Sequence, residues 1–513
     1  MSFRLLSAAY LAVLLLLSGC ATVDYDYPKE LSTYIPPPEG NYLRDRYESL
    51  TKGAPGESGF YLLSDGIDSL AARLLMAEQA ESTIDAQYYL ITDDNIGMVF
   101  LGALLDAADR GVRVRLLIDD IQTQGYDDGL GALHRHPNFE VRIFNPFYTR
   151  NARILDFWRF SRLNRRMHNK SFTADNIVTI VGGRNIADEY FGAREDVNFG
   201  DLDVLGVGPV VTETSEMFDQ YWNHQVAVPV PGFTNVPEDT SETMARLRAR
   251  IQKARSAFEG TQYLEAFSET WESLRADKDT SSLIWAPYQL VYDSPDKSDK
   301  KKAETAPSII TPLRDSLGSA KKEIVIVSPY FVPRKAGEVS FKEVIDKGIK
   351  ISVVTNSLAA NNHATVHSGY VPSRKPLLEI GVDLYEVKAN ARLSGVDRGG
   401  NGAALATLHT KAYLVDDDTF FLGSFNFDPR SAYINTELGV IIKSKEIGTQ
   451  VLESMKHKQH DHAYKVELDD KGNVVWKDYA VEPPVTYTKE PDTSAWVRFK
   501  VGFMRLMPIK SQL

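Results

Sequence analysis

The chain predicts an α/β fold made of two tandem, homologous α/β/α lobes that share one site. Three observations lead there. The set His168, Asn169, Lys170, Asp175 and Gly182-Gly183-Arg184-Asn185 recurs as His409, Thr410, Lys411, Asp416 and Gly423-Ser424-Phe425-Asn426, with Asp 7 and Asn 17 positions after each histidine. Landmarks outside the motif recur at nearly the same offset: 240 between Ile84 and Ile324, 237 between Gly111 and Gly348, 241 between the two histidines. Stretches of strand periodicity alternate with stretches of helical periodicity, the pattern of a sandwich around a largely parallel sheet.

In the first half, residues 66–80 have apolar positions at helical spacing and 83–91 (TIDAQYYLI) alternate as a strand. Residues 99–109 return to helical spacing, and 111–119 (GVRVRLLID) and 140–144 read as two further strands. The second half repeats the order, with 320–331 (AKKEIVIVSPYF) matching the first strand and 347–356 (KGIKISVVTN) the second. A chain of 513 residues suits two domains of about 200 each. We place them at 57–230 and 307–480, joined by a linker over 231–306. The linker holds a helical stretch (ETMARLRARIQKARSAFEGTQYLEAF) and a charged run (DSPDKSDKKKAE) that reads as a solvated surface loop. The glycine-rich 393–405, just before the second histidine, reads as a mobile loop beside the site. The final segment, 481–513, sets Trp496, Phe499, Phe503 and Met507 near helical spacing with Arg498, Lys500, Arg505 and Lys510 among them. It suits either a membrane interface or a last helix packed on the body.

The N-terminus reads as an address. Arg4, the apolar run 5–17 and Ser18-Gly19-Cys20 form the charged, hydrophobic and small-residue regions of a secretory signal over 1–19. Cys20 is the sole cysteine, which excludes an internal disulfide. The string LSGC resembles the lipobox of bacterial lipoproteins. That resemblance implies cleavage before Cys20, lipidation of Cys20, and a body in the cell envelope facing the periplasm. The plainer readings are an ordinary cleaved signal and a short uncleaved anchor. Ala21 stands where an aspartate would retain a Gram-negative lipoprotein at the inner membrane, so the outer membrane is favoured. Residues 20–56, rich in Pro, Tyr and charge, read as an extended tether. The net charge of −11 tilts against a nucleic-acid partner, whose phosphates reward a basic surface.

Strand periodicity of two puts His168 and Lys170 on one face, and likewise His409 and Lys411. Asp175 and Asp416 sit in polar turns (TADN, VDDD), which suits a structural role. Each half thus offers an imidazole, an ammonium and the amide of Asn185 or Asn426. With the halves face to face, a phosphodiester meets two lysines and two asparagines, with one imidazole to attack phosphorus and one to protonate the leaving oxygen. Losing one preorganised donor of this kind costs about 10²–10³ in rate. The chemistry calls for no cofactor and no metal, and two histidines without cysteine are poor zinc ligands. His363 and His367 have the i,i+4 spacing of some metal ligands, but no zinc-protease glutamate accompanies them; they read as a satisfied loop or helix pair. Arg162, Arg165 and Arg166 read either as receivers of an anionic headgroup or as solvated surface residues.

The duplicated pattern HxK(x4)D(x6)G[GS]xN resembles the phospholipase D superfamily over nearly all of 57–513. The strings FSRLNRRMHNKSFTADNIVTIVGGRNIADEYFG, DLDVLGVGPVV, FDQYWN and GSFNFDPRSAYINTELGVII resemble bacterial cardiolipin synthases, their C-type branch above all. The resemblance implies two phospholipase D-like lobes related by pseudo-two-fold symmetry around one active site. It implies a phosphohistidine on one of His168 and His409, with the other acting as general acid and then base, and Lys170, Lys411, Asn185 and Asn426 on phosphate oxygens. It also implies an acid after each motif that orients the imidazole: Glu437 in NTELG and Asp201 in DLDV. The first acid lies 33 residues after its histidine and the second 28, so Asp203 stands as a substitute for Asp201. Gly183 replaces the commoner serine, a change read as altering nothing essential.

The activity so implied is a phosphatidyltransferase making cardiolipin from phosphatidylglycerol and a second phospholipid, phosphatidylglycerol or phosphatidylethanolamine. Its partners are then phospholipid substrates and the membrane, with an accessory protein left open and no nucleic acid. The alternatives are phospholipase D-type hydrolysis to phosphatidic acid, a nuclease, and a non-catalytic lipid-binding envelope lipoprotein. Neither the attacking histidine nor the acceptor lipid is legible in the sequence.

Overall fold

The computed structural model describes residues 23–48, 55–150, 153–276, 283–391 and 405–505. The signal segment, Cys20 and all but the last residue of the glycine-rich stretch lie outside the described residues.

Among the described residues, nine strands form a first sheet in the order Ile284–Ala286, Ser58–Leu63, Asp203–Val207, Val178–Gly182, Ser171–Ala174, Thr83–Tyr88, Arg113–Asp119, Phe139–Phe144 and Ala227–Pro229. Ten form a second, in the order Tyr288–Tyr292, Leu438–Lys443, Thr419–Gly423, Ala412–Val415, Glu323–Val327, Lys350–Asn356, Asp383–Val387, Ala463–Leu468, Val474–Asp478 and Val485–Tyr487. Beginning at Ser58–Leu63 and at Tyr288–Tyr292, the two orders and strand directions agree for eight strands. The duplication read from residue offsets is therefore a duplication of topology.

The expectation of a largely parallel sheet needs correction. Only Thr83–Tyr88, Arg113–Asp119 and Phe139–Phe144, with their second-half counterparts, pair in parallel. The motif strands Ser171–Ala174 and Val178–Gly182 are joined by a tight turn, and so must run antiparallel. The helical crossovers that produced the alternating pattern serve only the parallel trio.

Helix Asn95–Asp109 starts earlier than periodicity indicated because Asp94 caps it, accepting from the Gly97 N–H at 2.8 Å. The helical stretch of the linker is two helices, Ser241–Ser256 and Gln262–Ala276, separated at Gly260, whose φ is +71°. Both pack on the first lobe, with Leu247, Ile251 and Tyr263 in its core. Strand Tyr288–Tyr292 lies inside the stretch read as linker, yet it opens the second sheet.

The stretch read as a tether is laid along the first lobe over residues 23–48. Val23 and Leu43 are buried, the Tyr34 N–H donates to Asp219 Oδ2 at 2.8 Å, and the Ser32 N–H donates to Asn223 Oδ1 at 3.1 Å. Its Pro-rich composition favours extended backbone, and here the N–H groups of Asp24, Ser32 and Tyr34 are met by partners on the first lobe.

A shared apolar core joins the lobes, with Phe60, Val181 and Val204 from one sheet against Leu414, Phe420 and Val440 from the other. Among the described residues, backbone pairing crosses between them at two places. Strand Leu405–Leu408 pairs in parallel with Val197–Gly200, and Met167 bridges Thr436.

Candidate active site

Those two crossings position the site. Each motif histidine directly follows a bridging residue, and each donates its backbone N–H across the boundary: His168 to Thr436 O at 2.9 Å, His409 to Gly200 O at 2.8 Å. The accepting residues immediately precede Glu437 and Asp201. Each imidazole therefore arrives at the carboxylate of the opposite half. His168 Nδ1 lies 2.8 Å from Glu437 Oε2, and His409 Nδ1 lies 2.5 Å from Asp201 Oδ2. All four side chains are buried.

The carboxylates are held in turn. Glu437 Oε2 accepts the Ser424 hydroxyl at 2.5 Å, and the Glu437 N–H donates to Asp293 Oδ2 at 3.0 Å. Asp201 Oδ1 accepts from the Leu202 N–H at 2.8 Å. Asp203 is not the orienting acid: it binds Arg73 at 2.9 Å and Ser69 at 2.7 Å. Gly183, the counterpart of Ser424, proves consequential. A β-carbon there would stand 2.3 Å from Asp201 Oδ1, so the shorter acid comes close only because residue 183 has no side chain. The second half pairs a longer acid with a serine; the first pairs a shorter acid with a glycine.

Lys170 and Lys411 are fully enclosed. Lys170 Nζ donates to His168 O at 2.6 Å, and Lys411 Nζ lies 2.8 Å from His409 Nδ1. Burial, with the facing lysines, keeps both imidazoles neutral, lowering His168 to about 4 and His409 to about 3. Burial also lowers Lys411 to about 8 and Lys170 well below the usual lysine range. It opposes the charge of Glu437 and Asp201 too. The His168 contact at Glu437, and those of Lys411 and His409 at Asp201, outweigh that and hold both carboxyls below their ordinary values. An imidazole that donates Nδ1–H to a carboxylate turns the lone pair of Nε2 outward, as a nucleophile or base requires.

Aromatic rings wall the site. Tyr89 meets His168 edge-on at 5.0 Å, Tyr190 meets His409 at 5.0 Å, and Phe199 stacks on His409 at 5.3 Å. Asn185 Nδ2 donates to the Tyr190 hydroxyl at 2.8 Å, and both Asn185 and Asn426 keep a side-chain oxygen without a protein partner. Nothing in the sequence singles out these rings, because an aromatic in or beside a regular element is usually core.

Comparison with known proteins places this constellation. The family model described as "Cardiolipin synthase, PLD-like domain" matches twice, over 74–222 and 313–458, once in each lobe. The chain belongs to that family. It is 43% identical to cardiolipin synthase C of Escherichia coli (strain K12) over 459 residues, covering 89% of this chain and 96% of that protein. An uncharacterized protein of Helicobacter pylori (strain ATCC 700392 / 26695) is 31% identical, across 96% of this chain and 97% of its own length. The crystal structure of phosphatidylserine synthase from Haemophilus influenzae Rd KW20 superposes with a TM-score of 0.57 at 14% identity, covering 92% of this chain and all of that one. That likeness is one of fold.

In this member of the cardiolipin synthase family, the remaining motif residues lie outside the cleft. Asp175 accepts from the backbone N–H groups of Glu81, Ser82 and Thr83 at 2.9, 2.8 and 2.8 Å, and from Asn41 Nδ2 at 2.7 Å. Asp416 does the same for Lys322 and Glu323 at 2.8 and 3.0 Å. Both have left-handed backbone, with φ of 50° and 54°.

All three arginines are engaged within the protein, and Arg166 is buried rather than solvated. Arg162 binds Asn145 and the Tyr25 hydroxyl; Arg165 donates to the carbonyls of Lys297 and Tyr433 at 2.8 and 3.1 Å; Arg166 meets Asp119 at 3.3 Å. Asp119 also accepts the Met167 N–H at 2.8 Å and so fixes the residue before His168. The charged run read as a solvated loop contains the buried pair Asp293–Lys297, 2.8 Å apart, directly behind Glu437. His367 Nε2 is buried against Arg374 at 3.0 Å while its Nδ1 has no hydrogen-bond partner among the described residues, and His363, the N-cap of the same helix, lies 5.3 Å from Tyr330, so the pair is held apart from any metal-like convergence but is not fully satisfied.

Proposed function

We propose that this chain is a phosphatidyltransferase that makes cardiolipin from phosphatidylglycerol and a second phospholipid, phosphatidylglycerol or phosphatidylethanolamine, through a phosphohistidine. The crossed pairs His168–Glu437 and His409–Asp201 carry this reading. One imidazole attacks phosphorus through Nε2 while the other, neutral in the free protein, takes up a proton from solvent as the phosphate anion enters and offsets the facing lysines, and gives that proton to the departing headgroup oxygen; the P–O bond breaks as the P–N bond forms. The second imidazole, now neutral, takes a proton from the hydroxyl of the incoming lipid, whose oxygen displaces the histidine. Lys170, Lys411 and the amides of Asn185 and Asn426 supply charge and donors to the phosphoryl oxygens. One diester is exchanged for another, so no nucleotide is consumed. That suits the periplasmic face of the envelope, the outer membrane in particular, where we place the chain on the strength of Cys20 and Ala21 in its N-terminal segment. Only Ala21 and Thr22 separate Cys20 from the packed Val23, a reach of about 10 Å, so a lipid on Cys20 would hold the body at the bilayer surface.

The test is lipid mass spectrometry of cells lacking other cardiolipin synthases. Restored cardiolipin with the chain, and none with His168→Ala or His409→Ala, is the expected result. Phosphatidic acid appearing in place of cardiolipin would mean hydrolysis. Unchanged lipids would sink the enzyme reading.

A further inference from the structure

Helix Ala495–Met504 presents its aromatic face outward. Its one fully buried residue, Val501, is 4% exposed, whereas Trp496, Phe499 and Phe503 are 60%, 61% and 54% exposed. The three aromatics, at i, i+3 and i+7, form one stripe, and Val501 lies about 140° around the helix from Trp496, on the opposite side. An ordinary last helix would bury the stripe. Here Val501 serves as the attachment, and the largest apolar side chains point away from the body.

Charge identifies what covers the stripe. Residues 495–505 contain Arg498, Lys500 and Arg505 and no acid, in a chain of net charge −11. Lys500 Nζ lies 5.2 Å from the centre of the Trp496 ring, and Trp496 stacks on Phe499 at 5.6 Å. Aromatic rings flanked by cations match the boundary between headgroups and acyl chains in an anionic lipid surface. A second copy of the chain fits less well, since face-to-face pairing would bring the cations of one helix against those of the other.

The helix is also tied to the site. Just before it, Glu490 binds Arg374 at 3.2 Å and His367 at 3.6 Å, and Asp492 accepts the Tyr464 hydroxyl at 2.7 Å. Arg374 and His367 belong to helix Ala364–Glu379, whose N-cap His363 packs on Tyr330, itself 6.3 Å from the His409 ring.

We infer that helix Ala495–Met504 is a docking element that seats Trp496, Phe499 and Phe503 in an anionic lipid surface and sets how the body faces the bilayer. The choice of a lipid surface rests on the lipid chemistry proposed above. The full chain carrying Phe499→Cys on a Cys20→Ser background has a single thiol, for an environment-sensitive dye. Each version is read in the vesicle-bound fraction recovered by flotation, so the dye reports the helix alone. In vesicles of phosphatidylglycerol and phosphatidylcholine, the dye should be quenched several-fold by brominated acyl chains and be shielded from aqueous iodide. Lys500→Glu with Arg505→Glu should weaken the effect, as should pure phosphatidylcholine. Quenching by iodide but not by bromolipid would overturn the proposal. So would equal quenching in neutral vesicles, or a dye shielded without vesicles in a self-associated form, which would give the face to a second copy. Quenching needs no turnover, so its failure would count against the helix and leave the transferase reading to its own test.

Discussion

The two halves solve one problem with different residues, and the difference is testable at single positions. Gly183→Ser would place an atom 2.3 Å from Asp201 Oδ1 and displace the carboxylate that holds His409. A misplacement of about 1 Å costs on the order of 10²-fold in rate. Gly183→Ser with Asp201→Glu rebuilds the pairing found at Ser424 and Glu437, and should recover most of that loss in a steady-state assay; two additive losses would refute the coupling. Glu437→Gln and Asp201→Asn should each lower kcat on the order of 10⁴-fold, as amide replacement of an orienting carboxylate does. Because the pairs are crossed, the two variants fail at different steps: with radiolabelled lipid, only one should still accumulate phosphohistidine, and it identifies the nucleophile as the histidine whose acid is intact. Lys411 sets a pH limit. Its ammonium, lowered to about 8, is complete at pH 7 and lost above 8. The kcat/KM should therefore fall as pH rises to 8, and Lys411→Arg should remove the share of that fall due to Lys411, because guanidinium keeps its charge; the limb that persists belongs to Lys170, which burial also lowers. At this scale the sequence made the reacting groups legible, since the chemistry needs those residue types at fixed spacing. It could not show which acid meets which histidine, because residues 208 and 269 positions apart meet only through the fold.

The motif is also a structural element, a hairpin whose turn clamps the first parallel strand of each half. Asp175 satisfies three backbone N–H groups and Asn41 in a buried turn, whereas Asp416 serves a partly exposed one. Unsatisfied buried donors cost about 1–3 kcal/mol each, so Asp175→Ala should lose roughly 3 kcal/mol and Asp416→Ala about 1 kcal/mol. Urea unfolding measures this, and kcat per folded molecule should stay within a few-fold of normal; a collapse of kcat in stable protein would instead make the aspartates catalytic. The polar-turn context made that role readable in advance. Periodicity likewise located strands Thr83–Tyr88, Arg113–Asp119 and Phe139–Phe144, each buried on both faces. It misjudged the run around Asp293 and the stretch after Cys20, where charge and proline imply solvent unless a partner far along the chain supplies the hydrogen bonds. Asp293 and Lys297 bury each other, and Asn223 and Asp219 engage residues 32 and 34.

For the molecule as a whole, crossed pairing makes the ionisation of one lobe depend on the placement of the other. His168 and His409 stay neutral in the folded chain down to about pH 4 and 3, because burial between the lobes disfavours their charge. In the unfolded chain each takes up a proton near the ordinary value of about 6.5. The unfolded state therefore binds more protons below 6.5, so stability is fully present above that pH and is lost as pH falls toward the folded values. Glu437 and Asp201, held below their ordinary carboxyl values, add a loss of the same sign at lower pH. Lys411, at about 8 in the folded chain, stays charged in both states over pH 4–6.5 and contributes no slope there. Asp188, Asp119 and Asp428, raised by burial to about 7, 6 and 6, act with the opposite sign, so the histidine contribution is read as a difference: between pH 6.5 and pH 4 the urea midpoint of His168→Gln with His409→Gln should shift in the stabilising direction relative to the parent chain, since glutamine takes up no proton in either state. Both lobes should lose structure together in that urea titration, read by hydrogen exchange at strands Ser171–Ala174 and Ala412–Val415. Loss of one lobe well ahead of the other would mean that the shared core and the crossed pairs do not bind the halves into one cooperative unit.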